Sequence, residues 1–249
     1  MLRRFSGVLR LTVGVLLSAL GACRKSERLA DAQLARDPVV RSAPRRIVVL
    51  GSSTSAGVGP REPEDAYVPR YAAILSRQFP DFTVTNLAVG GQTTYHIQPT
   101  GFVPPPNRPA PAAGANISAA LALDPDAILV HLPSNDTAAN IPAREQIENF
   151  VRVAKLADDA KVPVWLGSTQ PRNLTATQIV TQRRVREAIL NRFGRRALDF
   201  FTPLATPLGR LKAEYDAGDG THLNAAGHTI LLKIVLGARI PQSVLQASG

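Results

Sequence analysis

The sequence predicts a three-layer α/β sandwich built on a five-stranded parallel sheet, and three observations carry that prediction. Short apolar runs of strand length recur five times between Arg46 and Phe201. Segments of helical periodicity separate most of them, which is the rhythm of a parallel sheet wrapped on both faces. The 249 residues are 45% hydrophobic but only 5% aromatic, enough for one sizeable domain with a core of Val, Leu, Ile and Ala.

Each element has its own justification. Arg46 to Leu50 is a charged start followed by an apolar run, and reads as the first strand. Asp65 to Phe79 has helical spacing, with Tyr67, Tyr71, Ile74, Leu75 and Phe79 on one stripe. Pro69 near its start predicts an irregular first turn. Phe82 to Ala88 is the second strand and Asp126 to Leu132 the third. Ala143 to Ala160 is a helix, Val162 to Gly167 the fourth strand, and Thr177 to Phe193 a basic helix. Ala197 to Phe201 is a short fifth strand, and Asn224 to Leu236 the closing helix with Asn224 as its N-cap. Gln98 to Gly114 breaks the rhythm: its six prolines exclude a helix or an inner strand. Such a loop is a lid or an inert excursion. If it borders a site, its prolines suit a fixed wall more than a moving flap.

Charge and the amino terminus bound the setting. The formal net charge is +10. Arg183, Arg184, Arg186, Arg192, Arg195 and Arg196 form a cluster that reads as a solvated helix face, not a nucleic-acid surface. Arg3, Arg4 and Arg10 accompany an apolar run, Leu11 to Ala22, too short to span a bilayer but suited to a secretory signal. It ends Leu20-Gly21-Ala22-Cys23, with the chain's single cysteine last. This resembles a bacterial lipobox, which implies cleavage before Cys23, lipidation of its sulfur and a periplasm-facing protein anchored in the cell envelope. Arg24 follows that cysteine in place of Asp, which favours the outer membrane. The expected organisation is a signal peptide over 1–22, a tether over 23–44 and a globular domain over 45–245.

In a parallel α/β sheet, function gathers at the carboxyl ends of the strands, and the chemistry-bearing segments fall there. Gly51-Ser52-Ser53 follows the first strand. The second strand runs into Asn86-Leu87-Ala88-Val89-Gly90-Gly91-Gln92-Thr93-Thr94, and the third into Pro133-Ser134-Asn135-Asp136. Near the end of the chain stands Asp219-Gly220-Thr221-His222. An acid three residues before a histidine can hold the imidazole in one tautomer, as a general base acting on a hydroxyl requires.

Serine, glycine, asparagine and histidine in this order resemble the SGNH (GDSL-type) hydrolase family over residues 45–240. The resemblance implies a flavodoxin-like sheet, no cofactor and no metal, and a serine esterase working through an acyl-enzyme. It implies Ser53 as nucleophile, His222 as base and Asp219 as its orienting acid. Backbone carbonyls are expected to share in holding the imidazole. The oxyanion hole would come from the Ser53 N–H, the Gly91 N–H and the Asn135 side chain, with Gly90 the alternative to Gly91. Two departures stand out. Ser52 replaces the family's aspartate, so two adjacent serines compete, with block spacing favouring Ser53. Pro133 replaces the glycine that opens the third block.

The other histidines have plainer readings: His131 as packed, His228 as structural, and His96, at the start of the irregular loop, as surface decoration or a substrate contact. Expected substrates are short acyl esters or O-acetyl groups on glycans. An acyltransferase of the same fold and a catalytically silent glycan- or lipid-binding lipoprotein are the competing readings.

Overall fold

The computed structural model describes residues 44–132 and 134–247. The signal peptide, Cys23, the tether up to residue 43 and Pro133 lie outside the described residues. Five strands form one wholly parallel sheet in the order β2-β1-β3-β4-β5, the flavodoxin-like order predicted. They are β1 (Arg45–Gly51), β2 (Phe82–Asn86), β3 (Ala127–His131), β4 (Val164–Gly167) and β5 (Ala197–Leu198). The helices are α1 (Tyr67–Gln78), α2 (Ile117–Leu121), α3 (Asn135–Ala138), α4 (Ala143–Asp159), α5 (Ala176–Phe193), α6 (Ala225–Gly237) and α7 (Ile240–Ala247).

Alternation along the buried strands sorts the core into two halves. Ile47, Val49, Ala127, Leu129 and Trp165 face one way and pack against α1, α6 and α7. Val48, Leu50, Ile128, Val130, Val164 and Leu166 face the other way and pack against α2, α4 and α5. Because both faces are covered, β1 and β3 read as continuous apolar runs, which is why sequence finds them easily.

Differences from the sequence reading lie at element ends. The strand predicted to Ala88 stops at Asn86, whose side chain turns inward to donate from Nδ2 to the Ser55 carbonyl at 2.8 Å. The fifth strand keeps two residues, because Asp199 Oδ1 accepts from the Phe201 and Thr202 N–H groups and forms a turn. The helix predicted from Asp65 begins at Tyr67, after a 3-10 turn at Pro63–Asp65. Pro69 falls within its first turn, where the missing N–H has no helical partner to lose. Helices α2, α3 and α7 were not predicted. The first two are too short to show a period.

The proline-rich segment is pinned to α4. Arg108 makes a bidentate ion pair with Glu145, at 2.6 Å and 3.0 Å, and Tyr95 donates to the same carboxylate at 2.6 Å. Arg152 stacks on Phe102 with its guanidinium carbon 4.7 Å from the ring centre. These ties support a fixed structure over a mobile flap. Val103 stands 85% exposed, so it lines nothing.

Candidate active site

Among sheets of this order, the crevice opens where the connections from the first strand part in opposite directions, between β1 and β3. The loops leaving those two strands carry Ser52-Ser53 and Asn135. Gly51 ends β1, paired in register with His131 at the end of β3. From there the chain turns back on itself, with the Ala56 N–H donating to the Ser52 carbonyl and the Val58 N–H to the Ser53 carbonyl, each at 2.9 Å. Ser52, Thr54 and Ser55 are fully buried, whereas Ser53 is half-buried. The loop therefore presents one serine and hides its neighbours.

The presented serine meets the histidine. His222 Nε2 lies 3.0 Å from Ser53 Oγ, across 169 residues of sequence. On the other side of the ring, Nδ1 lies 2.6 Å from Asp219 Oδ2. The carboxylate is itself fixed: Oδ1 accepts from the Thr221 and His222 N–H groups, both at 2.8 Å. Burial alone would raise this carboxyl. The His222 and Thr221 N–H donors and the imidazole outweigh it and bring it down to about 2. A carboxylate that stays ionised can hold the Nδ1 proton and leave Nε2 free to accept one from a hydroxyl. Among the described residues, Nδ1 has no carbonyl partner beside Asp219.

Ser52 has a different partner. Asn135 Nδ2 donates to Ser52 Oγ at 2.9 Å and to the Gln92 carbonyl at 3.0 Å. One amide group thus joins the loops after β1, β2 and β3. The Ser53 and Gly91 N–H groups donate to no protein acceptor among the described residues. Gly91 has φ +81°, a left-handed conformation that glycine adopts without strain, whereas Gly90 has an ordinary φ. Gly91 and Asn135 are brought together through Gln92, and the side chains of Ser53, His222 and Asp219 stand in line.

Behind this front lies a buried polar layer. Asp136 accepts from the Thr94 N–H at 3.0 Å and from Thr94 Oγ1 at 2.6 Å. Asn149 Nδ2 donates to the same hydroxyl at 3.0 Å. Asp136 thereby locks the loop carrying Gly91 to the loop carrying Asn135. Burial pushes its carboxyl up to about 6, with the Thr94 donors resisting.

The other histidines fill structural posts. His131 is fully buried, 4.5 Å from the Phe200 ring centre, and shares a polar triangle with Ser55 and Tyr67. Burial, aided by His228, lowers it to about 3. His228 accepts the Tyr67 N–H at 3.1 Å and donates to the Val58 carbonyl at 3.3 Å, tying the start of α1 to α6. His96 Nδ1 accepts from the Thr93 N–H at 3.0 Å and braces its own loop.

Arg172 is the site residue that sequence reading missed. It follows β4, and its Nη1 lies 3.5 Å from Asn135 Oδ1. The strand-end rule that exposed the other blocks points to this loop as well. The segment has no motif of its own, so nothing singled it out.

Comparison with known proteins agrees with this architecture. Solved structures with similar folds include TesA (19% identity, TM-score 0.58, covering 79% of this chain and 99% of that one). A GDSL-like lipase from Bacteroides thetaiotaomicron is 18% identical with TM-score 0.59, over 87% of this chain and 97% of that one. The acetyl xylan esterase AlAXEase is 14% identical with TM-score 0.57, over 78% of this chain and 98% of that one. No curated protein matches the chain. The family model of the GDSL-like lipases and acylhydrolases matches residues 49–230, so the chain belongs to that family and is a carboxylic ester hydrolase.

Proposed function

We propose that the protein is a serine esterase in which Ser53 attacks the acyl carbon and forms an acyl-enzyme. The observation that carries this reading is the line from Ser53 Oγ through His222 to Asp219, at 3.0 Å and 2.6 Å, with Ser52 turned away into the protein. His222 Nε2 takes the hydroxyl proton as the Oγ–carbon bond forms, and returns it to the departing alcohol. Asp219 keeps the imidazolium oriented. The negative oxygen of the tetrahedral intermediate takes the free N–H donors of Ser53 and Gly91. Asn135 supplies a third by exchanging its Gln92 carbonyl for the oxyanion, while its bond to Ser52 keeps the amide in place. Water then repeats the sequence on the acyl-enzyme.

For substrate, the reading favours short acyl esters and O-acetyl groups on glycans. The pinned proline-rich loop presents little bulky apolar surface, and a deep acyl tunnel needs a larger lining. A similar fold serves an acetyl xylan esterase. For location, the lipobox-like segment ending at Cys23 supports a lipid-anchored protein facing the periplasm. The testing experiment is a p-nitrophenyl ester panel from acetate to palmitate. Acetyl to butyryl esters should have the higher kcat/KM, whereas a steady rise to long chains would reject the short-acyl reading in favour of a lipase.

A further inference from the structure

Arg172 extends the site beyond the groups that act on the acyl carbon. Two hydrogen bonds bracket it: Gln170 Nε2 donates to the Thr221 carbonyl at 2.9 Å, and the Asn173 N–H donates to the Gly220 carbonyl at 2.8 Å. The loop after β4 is therefore lashed to the turn that carries Asp219 and His222. The approach is close enough to require glycine: Gly220 has φ +68°, and a Cβ there would sit 2.6 Å from Asn173 Nδ2. From this bracket the half-buried Arg172 reaches across to Asn135.

Among the described residues the guanidinium has one hydrogen-bond partner. Its contact with Asn135 Oδ1 is at the outer limit of a hydrogen bond. A guanidinium has five N–H donors in a planar fork. Among the described residues no carboxylate pairs with it. Arg108 and Arg186 show what this fold does with arginines it uses structurally: each is locked bidentately, to Glu145 and Asp199. Asp219 does not serve Arg172, because its oxygens are committed to the His222 ring and two backbone N–H groups. A forked cation left open beside the reacting centre matches a carboxylate from outside the protein.

The direction of the reaction says which part of the ester carries it. The leaving alcohol must receive its proton from His222 Nε2, so its oxygen lies against the 219–222 turn, to which the loop carrying Arg172 is tethered. Building on the Ser53 reading, we propose that Arg172 recognises a carboxylate on the alcohol part of the ester. The substrate class is then acyl esters of hydroxy acids, such as O-acylated uronic-acid units of acidic glycans. The chain's net charge of +10, or +7 once Arg3, Arg4 and Arg10 of the leader are subtracted, favours the approach of such anions.

The test compares 3-acetoxybenzoate with its neutral methyl ester, using the full-length protein and p-nitrophenyl acetate as a reference ester. The wild type should prefer the acid by kcat/KM. In Arg172→Gln that preference should drop about 10- to 100-fold, the loss of one charged hydrogen-bonded pair. Arg172→Lys keeps the charge without the fork and should keep part of the preference; it also guards against a folding failure of the first variant. No wild-type preference for the acid, or an equal loss on both esters in Arg172→Gln, would overturn the proposal. Failure of the wild type on p-nitrophenyl acetate as well would instead bring down the Ser53 reading on which it rests.

Discussion

Ser52 and Asn135 are joined by a 2.9 Å hydrogen bond that spans 83 residues of sequence. Where the family pattern has an aspartate, this chain has a hydroxyl that accepts from the asparagine amide. That bond separates the two serines by geometry: Ser52 Oγ bonds Asn135 and Ser53 Oγ faces His222.

Exchanging the two serines in turn should separate those roles. Ser53→Ala should abolish ester turnover. Ser52→Ala removes one acceptor from Asn135 and should cost no more than about tenfold in kcat, the scale of one neutral hydrogen bond. Steady-state kinetics on p-nitrophenyl acetate decides it. Activity surviving in Ser53→Ala but lost in Ser52→Ala would reverse the assignment.

Asn135→Ala should lower kcat by about 10²–10³ with little change in KM, because the charge it meets develops only after substrate is bound. A change confined to KM would mean that Asn135 binds ground-state substrate. Cutting its amide away also releases Ser52 Oγ and the Gln92 carbonyl, so the variant's thermal stability belongs beside its kinetics.

Asp219→Asn should lose activity on a scale close to His222→Ala, about 10³–10⁴ in kcat. Backbone carbonyls sharing in holding the imidazole would make the effect milder. Among the described residues Nδ1 has Asp219 as its hydrogen-bond partner, at 2.6 Å, and no carbonyl bonds to it. A loss below about tenfold in Asp219→Asn would show that another group holds the ring.

Asp136 should leave a signature in stability against pH. Its carboxyl rises from 3.8 to about 6 on folding. Its contribution is therefore fully present below the unfolded value and is lost as pH climbs through 6. His131 and His228, lowered to about 3 and about 4, act with the opposite sign and weaken the fold on acidification. Asp136→Asn removes the offset, so its stability should fall more steeply than the wild type from pH 7 to pH 5. The extra loss is about 1 kcal/mol, read from denaturant midpoints at both pH values. Parallel curves would mean that Asp136 does not titrate in this window.

Cys23→Ser should release the protein from membranes or leave an unprocessed precursor, because a thioether-linked lipid needs the sulfur. Fractionation with and without detergent reads this directly. Wild-type protein that is soluble without detergent would reject lipid anchoring.

Much of this molecule was legible in its sequence because its strands are buried on both faces. The runs Ile47 to Leu50 and Ala127 to Val130 are apolar throughout, and their ends mark where chemistry gathers. Ser53 and Asn135 were singled out that way and Asp219 and His222 by the spacing of an acid and a histidine, and the structure brings Ser53, His222 and Asp219 into hydrogen-bond contact. Long-range partnerships were not legible. The Thr94–Asp136 lock, the Asn135–Ser52 bond and the reach of Arg172 each join loops far apart in the chain. Helices of four or five residues, such as α2 and α3, carry too little pattern to be read at all.

The most direct test of the central claim is covalent labelling with a fluorophosphonate, which reacts with an activated serine as an ester carbonyl would. Mass spectrometry of the labelled protein should show one adduct, on the peptide containing Ser52 and Ser53. Fragmentation should place it on Ser53, and the adduct should vanish in Ser53→Ala and persist in Ser52→Ala. An adduct on Ser52, or none on a protein that still hydrolyses esters, would contradict the account.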